Sequence, residues 1–220
     1  MTKFFVAVPS HRRPESVETI PIKPNVWVVN DKKDKRDYLA AGAESVEVSR
    51  EPWPGNRNTG IDLALREGAV CVQIDDDLKG VYRVWHAKSQ WKHVTEMPIL
   101  RVAQEVWQYM CIARTPFGGV YPYDNPYWVE QRIHTWGFIC GPFMVIDPRL
   151  PERFTYQIME DWEMTCKVLS RVGCVARPDY YIVDHKYDAG LTRQTGGLAD
   201  YRTPERDLHF AHKLVREYPN

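Results

Sequence analysis

The chain has 220 residues, with 29 Lys plus Arg against 29 Asp plus Glu and a formal net charge of zero. That balance excludes a global basic field for nucleic acid and an acidic disordered tail, so any charged partner must meet a local patch. Hydrophobic residues make up 44%, enough at this length for one substantial core, and no shift in composition divides the chain, so one domain is expected.

The opening "MTKFFVAVPSHRR" has an apolar run too brief for a secretory signal or a membrane span, which points to a cytoplasmic protein with no membrane partner. "KFFVAVPS", "NVWVVND" and "GAVCVQIDDD" each read as a short, buried, parallel-type strand. The connections between them carry helical signals: one opens at Pro14 and Glu15, and the next holds "KRDYLAAGA". The third, "GNRNTGIDLALREG", sets Ile61, Ala64 and Leu65 on one face before Gly68 stops it. This βαβ alternation predicts a Rossmann-like, doubly wound first half with right-handed crossovers.

After the aspartates, "PILRVAQEVWQYMCIAR" reads as a helix, Thr115 to Asn125 as a loop rich in Gly, Pro and Tyr, and "WGFICGPFMVID" as a strand pair, so the sheet is expected to be mixed. "YQIMEDWEMTCKVLSRVG" reads as a helix burying Ile158, Trp162, Cys166, Leu169 and Val172 and ending at Gly173. "DYYIVDHKYD" reads as a late strand, "AGLTRQTGG" as a mobile loop, and "TPERDLHFAHKLVREYP" as a final helix capped by Thr203 with Pro204 at its first position. The cysteines, Cys71, Cys111, Cys140, Cys166 and Cys174, are odd in number, form no C-x-x-C pair and lie mostly in apolar segments. They read as reduced core residues, and neither zinc nor cysteine-nucleophile chemistry has a supporting spacing.

Asp75, Asp76 and Asp77 follow directly on the apolar run Val70 to Ile74. If the strand continues, Asp75 and Asp77 share one side and Asp76 faces the other. Two carboxylates brought together need a proton or a cation, and hard divalent ions take oxygen ligands. A turn carrying solvated acids is the alternative. The carboxyl ends of parallel strands are where α/β sheets bind ligands, which favours the cation.

Several segments, in this order, resemble a GT-A glycosyltransferase of the family-two type, over nearly the whole chain. "VAVPSHRRPESV" is similar to the first strand and nucleotide-contacting turn, "VVND" to the second strand with its acidic residue, "GNRNTGIDLAL" to the segment with an arginine, and "IDDD" to the D-x-D motif. "HTWGFICGPFMVI" resembles the acceptor loop, "MEDWEM" the x-E-D motif and "VDHK" the late metal histidine. The resemblance implies a GT-A domain whose mixed, mainly parallel sheet binds a nucleotide-sugar donor in residues 1–77 and the acceptor in residues 78–220. It implies a Mn2+ or Mg2+ ion held by Asp77 directly, with Asp75 on ribose or the ion and His185 as second protein ligand, Asp184 being a substitute.

The resemblance implies that Pro9, Ser10, His11, Arg12, Asp31, Arg57 and Asp76 meet the donor, although Arg12 and Arg57 read equally well as ordinary surface arginines.

 Lys186 and Arg193 would close on its diphosphate as a lid. In inverting members the x-E-D aspartate is the general base, so the resemblance gives that role to Asp161, with Glu160 orienting the acceptor, and makes Trp136 and Gly137 part of the acceptor loop. Taken alone, Glu160 and Asp161 equally suit the positive end of a helix dipole.

From Lys79 to His93 the chain has four Lys or Arg, two His, three Tyr or Trp and no acid. Basic groups among stacking rings suit a nucleic-acid backbone and an unstacked base, which makes Arg83, Trp85, Lys88, Trp91 and Lys92 acceptor candidates, although a half-buried hairpin would look the same. The layout also resembles the TET-associated glycosyltransferases of bacteriophages, which implies the 5-hydroxymethyl group of a modified pyrimidine in DNA as acceptor and UDP-hexose as donor, in a host cytoplasm. A saccharide or lipid-linked acceptor is the alternative, and a nucleotidyltransferase or a non-catalytic binding module are further ones. Nucleotidyltransferases usually open with a glycine-rich loop and a lysine, where this chain has "PSHRRPES".

Overall fold

Val70, Val72 and Ile74 of β4 (Val70–Ile74) pack into one apolar cluster, and Cys71 between them packs into another. Successive strand residues point to opposite faces, so β4 is covered on both sides. The computed structural model describes residues 2–14, 25–86, 92–121, 125–185 and 202–219. Among these, β1 (Phe4–Pro9), β2 (Val26–Val29) and β3 (Val46–Val48) join β4 in parallel. β9 (Phe143–Ile146) adds antiparallel to β4, and β7 (Phe117–Gly119) antiparallel to β9, giving the order β3-β2-β1-β4-β9-β7. Only β9 runs against the rest, so the expected mixed, mainly parallel sheet is present.

Two pairs of helices cover the sheet. Tyr38 of α1 (Lys32–Ala40) and Val102, Val106 and Met110 of α3 (Ile99–Ala113) share a cluster with Val72 and Ile74. Ile61 and Ala64 of α2 (Gly55–Arg66) and Met164 and Val168 of α4 (Glu160–Val172) share the opposite one with Cys71, Met144 and Ile146. α5 (Pro204–Glu217) sets Phe210 against Tyr156, 5.3 Å between centroids, and Thr203 caps it as expected by accepting from the Arg206 amide at 3.2 Å. The stretch after the aspartates forms β5 (Leu78–His86) and β6 (Lys92–Met97), which make a small antiparallel sheet with β11 (Tyr181–His185). β8 (Ile133–His134) pairs with β10 (Arg177–Pro178).

Several local expectations are corrected. Leu65 is exposed, and α2 buries Leu63 with Ile61 and Ala64 instead. α4 starts at Glu160, because Met159 before it is left-handed (φ 60°), and it turns Trp162 outward while burying Met164 and Val168. Between residues 136 and 147 only β9 is a strand, so the expected pair is absent there. Cys71 is a buried core thiol, but Cys111 is exposed. The helix expected from Pro14 onward falls largely outside the described residues. No helix among the described residues is long and apolar enough to cross a membrane.

β7 lies in the segment expected to be a loop, and three residues with two glycines give periodicity nothing to register. A Cβ on Gly119 would stand 2.5 Å from Ile139 Cγ2 and 2.6 Å from the Phe143 carbonyl oxygen. The backbone of β7 approaches β9 and Ile139 too closely for any side chain. Gly119→Ala is therefore expected to destabilise the fold by about 1–3 kcal/mol. Urea unfolding checks this as a lower midpoint at unchanged slope.

Candidate functional site

β1 and β4 end side by side, and the residues that follow them meet. Asp75, Asp76 and Asp77 are not a continuation of β4 but a turn, closed by the Leu78 amide donating to the Asp75 carbonyl at 3.2 Å. The turn sends the three carboxylates to three different environments, which replaces the alternation expected of a strand.

Asp76 is 1% exposed. Ser10 donates to its carboxylate while also bonding the Tyr38 hydroxyl, and Arg13 grips it with Nε at 2.8 Å and with Nη2. The carboxylate holds the Arg13 guanidinium above its ordinary pKa against the opposing effect of burial, and burial raises the Tyr38 hydroxyl. Asp76 and Ser10 thus tie the segment after β1 to the acidic turn, instead of standing open to a donor as expected. Arg13, not the exposed Arg12, is the arginine drawn into the site. No periodicity separates the two neighbours.

Asp75 accepts from Arg57 Nη2 at 3.0 Å, and Arg57 Nε donates to Glu160 Oε1 at 3.0 Å. The Arg57 side chain is 3% exposed and lies over the rings of Trp53 and Phe154, 5.4 and 5.8 Å from their centroids. Gln73, buried in β4, donates to the Arg57 carbonyl at 2.6 Å, and Gly60 lets α2 come close enough, since a Cβ there would be 2.9 Å from that of Ala7. Arg57 was expected to contact donor phosphate or base. Its guanidinium instead bridges two carboxylates, with Nη1 making no hydrogen bond among the described residues. Burial pushes Glu160 up to about 7 despite Arg57.

Asp161, one residue on, accepts from the Gly141 amide at 2.8 Å and from the Trp162 amide at 2.9 Å. Burial raises its pKa, while Arg57 and these two amides oppose the rise. Thr165 accepts from the Ile139 amide at 3.1 Å and donates to the Asp161 carbonyl at 2.9 Å, so the 139–141 segment is held to the first turn of α4. Asp75, Arg57, Glu160 and Asp161, from four positions in sequence, form one charged cluster.

Asp77 is partly buried, and among the described residues no Lys, Arg or His ion-pairs with it. Burial, then Asp75 and Asp76, push its carboxyl up to about 7. Among the described residues Asp77 thus has no cationic partner, and Asp75 and Asp77 supply hard oxygen donors that fit a divalent ion. The backbone of His185 pairs opposite Leu78, the residue after Asp77, across a bulge at Asp184/His185. Among the described residues no three His, Cys, Asp or Glu side chains form a ready-made metal group.

The remaining residues lie apart or outside. Pro9 ends β1, and His11 is buried with Nδ1 3.9 Å from Asp34 Oδ2. Arg12 and Asp31, the latter capping α1 by accepting from the Lys33 amide at 2.7 Å, line a cleft of about 370 Å³ with Asp34 and Asp37. Arg83 is committed inside the fold, with Nη1 3.5 Å from Glu105 and its guanidinium over Trp85 and Tyr180 at 4.2 and 4.7 Å, which corrects its reading as a free nucleic-acid contact. Trp85 remains half-exposed beside it. Lys88, Trp91, Lys186 and Arg193 lie outside the described residues, and Lys92 is placed on β6 only by its backbone. Trp136 is 73% exposed, and Gly137 (φ 128°) leads to Phe138, whose carbonyl accepts from Arg177 Nη1 at 2.7 Å.

No family model and no curated protein matches the chain. Among solved structures, A197 from STIV is similar with a TM-score of 0.44 and 10% identity, over 85% of this chain and 87% of that one. CMP:2-keto-3-deoxy-manno-octonic acid synthetase complexed with CTP is similar with a TM-score of 0.45 and 10% identity, over 98% and 100%. Likeness at this level assigns the chain no activity.

Proposed function

We propose that the chain is a metal-dependent, inverting glycosyltransferase that moves a hexose from a nucleotide sugar, UDP-hexose foremost, to an acceptor hydroxyl, with the 5-hydroxymethyl group of a DNA pyrimidine as the favoured acceptor. The observation that carries the reading is the Arg57 bridge, which fastens the acidic turn after β4 to the Glu160–Asp161 start of α4. Asp75 and Asp77 would hold the divalent ion with His185. Bound there, the ion would neutralise charge gathering on the leaving diphosphate.

Asp161 takes the proton of the acceptor hydroxyl as that oxygen bonds to the anomeric carbon. The bond from that carbon to the diphosphate oxygen breaks, and its electron pair leaves with the diphosphate. Arg57 does not touch the reacting atoms: its guanidinium holds Asp75 and Glu160 in place. Asp76, Ser10 and Arg13 hold the segment after β1 against the turn.

Thermal shift with a panel of nucleotide sugars, with and without Mn2+, tests the class. A donor that stabilises the protein only with metal supports it. Asp77→Ala is expected to abolish that shift while the ligand-free melting temperature stays level or rises, because a crowded carboxylate is removed. A retained Mn2+-dependent shift overturns Asp77 as the ligand. Transfer of a nucleotidyl group instead of a hexose, read by product mass, selects the nucleotidyltransferase, and binding without any product selects the binding module.

A further inference from the structure

β9 pairs with β4 in antiparallel register, with Phe143 opposite Ile74, so the chain that leads into β9 runs beside the start of the acidic turn. The Asp75 amide donates to the Pro142 carbonyl at 3.3 Å, which carries the pairing one residue further and brings Gly141 against the Asp75 side chain. The two oxygens of that carboxylate are used differently. Oδ1 accepts from Arg57 Nη2 at 3.0 Å, whereas among the described residues Oδ2 accepts no hydrogen bond. A Cβ on Gly141 would stand 3.0 Å from Oδ2 and 3.5 Å from Oδ1, so the oxygen that Arg57 leaves unused is the one turned toward the glycine.

The backbone does not require a glycine here. Gly137 is left-handed in sign (φ 128°), but Gly141 is not, and its conformation is open to other residues. What the glycine provides is room. The segment cannot back away, because the Gly141 amide donates to Asp161 at 2.8 Å and Thr165 bonds both the amide and the carbonyl of Ile139, at 3.1 and 3.3 Å. Arg57 cannot retreat either. Its Nη2 would also lie 3.0 Å from the added Cβ, but the side chain is 3% exposed, packed over Trp53 and Phe154, and tied through Nε to Glu160. Asp75, with its side chain 26% exposed, is the group that would have to give way.

We propose that Gly141 is a positioning residue for the divalent ion: its bare Cα keeps Asp75 Oδ2 open to the cation while its amide holds Asp161. This rests on the metal-dependent reading above. A carboxylate oxygen serves a hard cation only when the approach to it is clear. A methyl group in contact with Oδ2 covers that approach or turns the carboxylate off Arg57, and either change disturbs the donor. Alanine at this position keeps the backbone amide. The two duties of Gly141 therefore separate: the hold on Asp161 persists, and access to Asp75 is lost.

The test reads metal binding directly, without turnover. Mn2+ is titrated into the whole chain, alone and with UDP present, and bound metal is followed by calorimetry and by loss of the free-Mn2+ electron paramagnetic resonance signal. Gly141→Ala is expected to melt cooperatively and to weaken Mn2+ binding about ten- to hundredfold, the span for disturbing a group that orients a metal ligand. Asp75→Ala should weaken it as well. In that background Gly141→Ala should add less than about twofold, because the oxygen it covers is gone. If Gly141→Ala does not fold, the Gly141→Ala/Asp75→Ala double variant should fold, and a double variant that stays unfolded overturns the proposal. Mn2+ affinity within about twofold of wild type in Gly141→Ala, or an equal loss with and without Asp75, overturns the role of Gly141 and leaves the metal reading standing. Undiminished affinity in Asp75→Ala overturns Asp75 as the group the glycine serves. A wild-type chain that binds no Mn2+ under either condition overturns the metal reading, and the proposal falls with it.

Discussion

Arg57→Ala is expected to cost about 3–5 kcal/mol of stability at pH 8, the usual consequence of removing one partner from a buried ion pair. Asp75 and Glu160 would be left facing each other across the space of a guanidinium, and the two rings over Arg57 would lose their contact. The loss depends on pH with a definite sign. Burial already pushes Glu160 up to about 7 from an ordinary 4.5, so the folded state holds that proton to a higher pH than the unfolded chain. Such a group favours the fold most at low pH and loses that contribution as pH rises from about 4.5 through 7. Without Arg57 the carboxyl rises further, and the difference between variant and wild type grows from pH 5 to pH 8. Thermal melts at the two pH values check this. An equal deficit at both would mean that the bridge acts by packing and not by charge.

Asp161→Asn is expected to lower turnover about 10²- to 10⁴-fold, the contribution of a positioned general base. Asn keeps the shape and its oxygen can still accept from the Gly141 amide, so the 139–141 segment should stay in place. Donor binding with Mn2+ should persist and kcat should carry the loss. In the wild type, burial raises the Asp161 pKa, and kcat should fall as pH drops through that raised value because the protonated acid accepts nothing. An equal loss of donor affinity and rate would make Asp161 a helix-terminus residue only, and a product of retained configuration would exclude the inverting step.

Much of the frame was legible because its signals are local. The buried runs of β1, β2 and β4 announce strands covered on both faces, and Thr203 with Pro204 announces the start of α5. Leu65 and Trp162 misled because helical spacing states which residues share a stripe, not which stripe meets the sheet. At α4 the left-handed Met159 sets where the helix begins, and Glu163 is drawn inward by the Thr155 and Tyr156 amides at 2.8 and 2.9 Å. β3 and β7 were unreadable, since three residues make less than two periods.

The sequence by itself determined that three acids would follow a buried strand, that an acidic pair would start a helix, and that an arginine would stand near the first turn of α2. Which charge meets which was decided by tertiary structure alone. Arg57 lies 18 residues from Asp75 and 103 from Glu160, and only the packing of α2 and α4 on one face of the sheet brings the three together. The choice of Arg13 over Arg12 for Asp76 has the same origin. Periodicity records the direction of a side chain relative to its own backbone, whereas an ion pair depends on the separation of two elements, which close packing sets only after both have been placed.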